Sequence, residues 1–187
     1  MPVTRRLRNL GMPALGCAMA FAVIGLLARA EEPSGKNDVQ LVSLKYPAFQ
    51  SMLAEAKAKG FKYTLVDAWA SNCGPCKENF PHLIAMHKKF APKGLRVVSL
   101  SLDDISVPKD LESARQFLRE KKATFLNVLL DEDFGVGFDK LDISAIPAVF
   151  LYGPDGKEVK RFTMEDVNNQ FTYAQVEDEL NKRLGGK

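Results

Sequence analysis

The sequence predicts a mixed α/β domain in which helices flank a central sheet. Apolar, β-rich runs alternate with amphipathic helical stretches from residue 39 onward. Late in the chain, Pro154-Asp155-Gly156 joins two strand-like runs into a hairpin. A last amphipathic stretch over residues 173–184 closes the domain as a helix, with glycines just beyond it.

The elements follow in order. Residues 39–44 alternate as a short strand. Residues 47–59 read as a helix with Phe49, Met52, Leu53 and Ala56 on one face, ended by Gly60. Residues 62–70 form an apolar strand suited to burial on both faces of a sheet. A helix starts at Cys73 and runs to about Phe90; Phe80, Leu83, Ile84, Met86 and Phe90 form its apolar side, and Pro81 should kink it. Residues 95–102 are a second apolar strand, ending at Asp103-Asp104, and residues 111–122 an amphipathic helix. A short strand over 125–130 and a short helix over 134–141 follow, the helix weakened by Gly135 and Gly137. Residues 148–152 and 158–162 are the two hairpin strands.

The first thirty residues are sequence of a different kind. Arg5, Arg6 and Arg8 form a basic start, residues 11–27 an apolar run, and Ala28-Arg29-Ala30 a small-x-small site before Glu31. That is the layout of a secretory signal peptide. It divides the chain into a signal peptide over 1–30, a polar flexible lead-in over 31–38 and a domain over 39–187. The competing reading is an uncleaved membrane anchor over residues 10–28. Gly16 and Gly25 interrupt that run, and it falls short of the ~20 apolar residues of a comfortable span. Ala14-Leu15-Gly16-Cys17 loosely matches a lipobox, but apolar residues continue after Cys17, where a lipoprotein turns polar.

Loss of residues 1–30 changes two counts. Arg5, Arg6, Arg8 and Arg29 leave, so Lys plus Arg falls from 26 to 22 against 23 acidic residues, a net charge of −1. The basic balance belongs to the leader, and nothing in the domain suggests a nucleic-acid surface. The cysteines fall from three to two, both in Cys73-Gly74-Pro75-Cys76. An exported domain with two cysteines in this spacing is no disulfide-stapled scaffold, so the pair reads as functional. A zinc half-site would need a second Cys pair, which the domain lacks.

Chemistry at this motif follows from its place between a strand and a helix. Cys73 sits where backbone N–H groups and the helix dipole favour negative charge on sulfur. It is therefore the attacking thiol, and Cys76, one helical turn on, resolves the mixed disulfide. Gly74 and Pro75 set the loop geometry, since proline in the first turn costs no helical hydrogen bond. Trp69 packs beside the motif, and Asn72 immediately precedes Cys73.

Trp69-Ala70-Ser71-Asn72-Cys73-Gly74-Pro75-Cys76, the internal Pro81, and the run from Ala145-Ile146-Pro147 to Gly156-Lys157 together resemble the thioredoxin superfamily. The strand–helix stretch before Ile146-Pro147 is similar to an insertion in the exported TlpA/ResA-like branch. The resemblance implies a thioredoxin fold: a mixed central sheet flanked by helices, with a strand–helix insertion before a cis-Pro loop. It implies that the Ile146–Pro147 bond is cis and that the backbone of Ile146 pairs with an extended substrate segment. It implies, too, that Asp67 relays a proton to or from Cys76, a buried carboxyl there having a raised pKa. A Gly-Pro dipeptide is similar to reducing members of the family.

Three positions depart from the family pattern. Asn72 stands where tryptophan is usual, Ser99 where thioredoxins place a lysine beside the buried acid, and Asn79 where ResA-like members often carry glutamate. The expected function is an extracytoplasmic (periplasmic or secreted) thiol–disulfide oxidoreductase. It would act as a monomer that reduces protein disulfides with electrons from a membrane-embedded donor, with no cofactor or metal. An oxidant or isomerase on the same site is the alternative. A thiol peroxidase would need Pro-x-x-x-Thr-x-x-Cys, absent from residues 66–73, and a copper chaperone a distal histidine. His82 and His87 are five apart and read as surface residues rather than ligands.

Overall fold

A computed structural model describes residues 39–133 and 135–185. The expected signal peptide over 1–30 and lead-in over 31–38 lie outside the described residues, as do Phe134, Gly186 and Lys187. Strand β1 (Leu41–Leu44) leads to α1 (Tyr46–Ala54), β2 (Tyr63–Trp69), α2 (Gly74–Phe90), β3 (Leu95–Ser101) and α3 (Pro108–Lys121). Strand β4 (Leu126–Leu130), α4 (Val136–Leu141), the hairpin strands β5 (Ala148–Tyr152) and β6 (Glu158–Phe162), and α5 (Tyr173–Leu184) complete the order.

Six strands form one sheet in the order β1-β4-β3-β2-β5-β6. The first four of that row are parallel, and β5 and β6 are antiparallel to their neighbours. This is the mixed sheet flanked by helices that the resemblance implies. The extra strand β4 is inserted between β1 and β3. Strand β2 is central, and its side chains alternate between two cores. Leu65 and Trp69 join α2, α3 and α5 on one face; Val66 and Ala68 join α1 and α4 on the other. Burial on both faces explains why β2 and β3 read as continuous apolar runs.

Two helix boundaries differ from expectation, each for a local reason. Helix α1 ends at Ala54 rather than at residue 59. Beyond it the Lys57 N–H donates to Pro154 O at 3.1 Å, in the β5–β6 turn, instead of to a carbonyl of its own helix. Ala56 stays buried, so the apolar spacing there reflects packing rather than helix. Helix α3 starts earlier, at Pro108 rather than residue 111, because proline is preorganised for the first helical turn. Helix α4 begins at Val136 rather than residue 134, and β1 at Leu41 rather than residue 39. Helix α2 continues through Pro81 to Phe90. Among the described residues no helix is long and apolar enough to cross a membrane.

The hairpin turn is pressed against the end of α1. Gly156 has φ +75°, and a Cβ there would lie 2.8 Å from the backbone N and Cα of Ala54. A side chain is excluded by both the left-handed backbone and the contact. Gly156→Ala should therefore destabilise the fold by about 2 kcal/mol or more in urea denaturation. A loss below about 0.5 kcal/mol would mean that the turn is free to move off α1.

Candidate active site

The site is built at the C-terminal edge of β2, where the chain turns into α2. Cys73 is the N-cap of α2, and the Cys76 N–H donates to Cys73 Sγ at 3.2 Å. The Cys73 N–H is held by Ala70 O at 3.0 Å, and Cys73 O accepts from the Lys77 N–H at 3.2 Å. Cys73 and Cys76 are joined in a disulfide. Their exposures differ in the sense the attack order requires: Cys73 is half-buried, whereas Cys76 is 1% exposed, packed inside the first core. Gly74, Pro75 and Asn72 are exposed around the sulfur, so no apolar wall stands at position 72.

The loop that aims Cys73 is clamped by a buried carboxylate. Asp103, just past β3, accepts from the Ser71 N–H at 2.8 Å and the Ser71 hydroxyl at 2.6 Å through Oδ1. Its Oδ2 accepts from the Ser101 hydroxyl at 2.6 Å. The Leu102 N–H donates to Trp69 O at 2.8 Å, so the ends of β2 and β3 are tied on both sides of the loop. Trp69 is fully buried, edge-on to Phe80 at 5.5 Å and tilted on Phe117 at 5.1 Å. It shares the core that holds Cys76.

Opposite the motif, the Ile146–Pro147 peptide is cis. Ile146 O lies 3.9 Å from Cys73 Sγ. Ile146 is half-buried and Pro147 buried, and both precede the paired part of β5, which starts at Ala148. The backbone beside the sulfur thus belongs to no strand of the sheet.

Asp67 is in the middle of β2 and 1% exposed, on the same face as Leu65 and Trp69. Its carboxyl accepts from the Tyr173 phenol at 2.9 Å and 3.1 Å. Burial raises its pKa from 3.8 to about 7, and the hydrogen bond from Tyr173 acts in the lowering direction. Ser99 is its register neighbour on β3, and the Ser99 hydroxyl donates instead to Asn127 Oδ1 at 2.8 Å.

Two residues of this site escape a reading of the sequence. Tyr173 follows Thr172, and Thr172-Tyr173-Ala174-Gln175 is a capping box, so the start of α5 is legible. The partner of its phenol, 106 residues away, is not. Asp103 carries a weaker signal, an acid directly after an apolar strand. The two histidines part company: His82 is exposed, but His87 is half-buried against Phe125 at 5.2 Å, a correction to its reading as a surface residue. Spacing places His87 on α2 but cannot show that Phe125, from the loop before β4, covers it. Among the described residues no group of three or more metal-ligating side chains occurs.

The thioredoxin-like family model matches residues 60–158. The thiol-disulfide oxidoreductase ResA of Bacillus subtilis (strain 168) is 29% identical over 88% of this chain and 85% of its own length. The protein of the same name from Oceanobacillus iheyensis is 28% identical over 77% of this chain and 68% of its own length. Among solved structures, a thiol:disulfide interchange protein from Bacteroides sp. superposes with a TM-score of 0.54. It is 25% identical, and the match covers 70% of this chain and 78% of that one.

The raised pKa of Asp67 has a consequence for stability. An acid with a raised folded-state pKa keeps its proton in the native chain after the unfolded chain has lost it. Its contribution is fully present below about pH 4, falls as pH rises, and is lost above about pH 7. The interval corresponds to on the order of 4 kcal/mol. Asp67→Asn should therefore gain stability relative to the native sequence as pH rises from 4 to 8, measured by urea melts across that range. A difference that does not vary with pH would contradict the buried, protonated carboxyl.

Proposed function

The chain belongs to the thioredoxin-like family, in its TlpA/ResA-like branch, and is a thiol–disulfide oxidoreductase; from that premise we propose that it is exported and reduces protein disulfides outside the cytoplasm. The observation that carries the exchange chemistry and its order of attack is the asymmetry of the pair. Cys73 Sγ receives an N–H at the open tip of α2, and Cys76 is closed off behind it.

The reduced protein would react in two exchanges. The Cys73 thiolate attacks one sulfur of a substrate disulfide, forms a mixed disulfide and expels the other substrate sulfur as a thiolate. The Cys76 thiol gives its proton to the Asp67 carboxylate, attacks Cys73 Sγ and releases the second substrate sulfur. Two electrons pass to the substrate, and the Cys73–Cys76 disulfide is left. Asp67 suits the relay because burial brings it to about 7, within reach of both protonation states near neutral pH. The cis-Pro loop, with Ile146 beside Cys73 Sγ, would hold the substrate backbone as an added strand.

The basic, apolar and small-residue order of residues 1–30 supports export. An exported chain has no access to cytosolic reductants, so a membrane-embedded dithiol donor would return the pair to its reduced state. The Gly74-Pro75 dipeptide supports the reducing direction through its likeness to reducing members of the family.

Trapping tests the order of attack. Cys76→Ala should accumulate a covalent adduct with a disulfide-bonded protein substrate, released by dithiothreitol and mapped by mass spectrometry to Cys73. Cys73→Ala should accumulate none. Equal trapping by the two variants would overturn the assignment of Cys73 as nucleophile.

A further inference from the structure

Asp67 is 1% exposed, and what the neighbouring elements present on its side of the sheet is specific. From β3 its register partner is Ser99, whose hydroxyl is committed to Asn127 Oδ1. From β5 the partner is Val149. Helix α2 contributes the buried Cys76 and Phe80 to the same core, β2 itself Leu65 and Trp69, and α5 Tyr173. Among the described residues, Tyr173 is the group that hydrogen-bonds the Asp67 side chain, and no lysine or arginine takes that place. His82, a titratable group exposed on α2, is stacked on the Tyr173 ring at 5.8 Å.

We propose that Tyr173 is a positioning residue of the active site, its phenol donating to both oxygens of the Asp67 carboxyl and so holding that group ionisable in an apolar core. Tyr173 stands at the first residue of α5. The capping box fixes it there: the Gln175 side chain accepts from the Thr172 N–H at 2.8 Å and the Thr172 hydroxyl from the Gln175 N–H at 3.4 Å. Tyr173 is 5% exposed and its ring rests on Phe171 at 5.5 Å, so the phenol has little freedom to point elsewhere.

A donor without net charge differs from an ammonium in one important respect. It supports the carboxylate by a hydrogen bond, but it adds no positive charge to the core and is not lost by titration near neutral pH. The same two factors, opposed, set Asp67: burial raises its pKa and the phenol lowers it. Loss of the phenol must then raise it further. The pH dependence of turnover depends on the relay role proposed above for Asp67; the setting of the carboxyl does not.

Tyr173→Phe separates the two, because it removes one oxygen and keeps the ring. The Asp67 carboxyl is titrated by carbon-13 NMR in the native sequence and the variant, oxidised and reduced, with near-ultraviolet circular dichroism to verify the fold. The midpoint should rise by about one to two pH units, the worth of a hydrogen bond to a charged group. The acidic limb of disulfide-reduction turnover should rise with it, and at pH 9 the variant should regain most of the native rate, which a packing defect would not allow. An unchanged carboxyl midpoint overturns the inference. A raised midpoint with an unmoved turnover profile supports the role of Tyr173 and refutes the relay through Asp67, a relay that turnover of Asp67→Ala tests independently.

Discussion

A single N–H···S contact organises this molecule: the amide of Cys76 meets Cys73 Sγ at 3.2 Å at the first turn of α2. Helix N-termini carry unpaired amides and partial positive charge, and a sulfur placed there is favoured as an anion. For the contact to form, β2 must end and α2 begin within a short turn, and that turn must be rigid. Asp103 supplies the rigidity by engaging the Ser71 amide and hydroxyl. The parallel pairing of β2 with β3 brings Asp103 to that position, so the register of the sheet and the aim of the nucleophile are one constraint.

The second constraint is a conflict that the fold leaves standing. A carboxyl in the centre of β2 opposes burial, and the sheet offers Asp67 only Ser99 and Val149 as lateral neighbours. An apolar residue there would give a more stable domain at neutral pH. On the proposed relay, its placement on the side of β2 that faces the core holding Cys76 gives the acid a use: a group poised between its protonation states would take the proton that the thiol must lose. On the same proposal the last helix would take part in the chemistry through Tyr173, whose phenol hydrogen-bonds Asp67.

Much of this is legible in the sequence, and the boundary of legibility has a physical origin. The alternation of strands and helices, the hairpin, the start of α2 at Cys73 and the placing of Asp67 opposite Ser99 all follow from local patterns or from the resemblance. Periodicity overextends helix α1 because Ala56 keeps helical spacing while the next residue, Lys57, turns its N–H to Pro154 O. Contacts between side chains distant in the chain leave no trace in periodicity. Tyr173 on Asp67 and Asp103 on Ser71 are of that kind, polar groups whose partners are brought together only by the finished sheet. His87 belongs with them, since its cover, Phe125, comes from the other side of α3 in the chain.

The direction of electron flow is the claim on which the biological reading turns, and the equilibrium midpoint potential of Cys73–Cys76 measures it directly. Trp69 shares the core of Cys76 and can report the redox state by fluorescence, with thiol alkylation as a check. A reductase fed by a membrane donor should have a value near the reducing end of the scale, about −270 mV. A value of about −120 to −180 mV would make the protein an oxidant or isomerase and contradict the assigned direction.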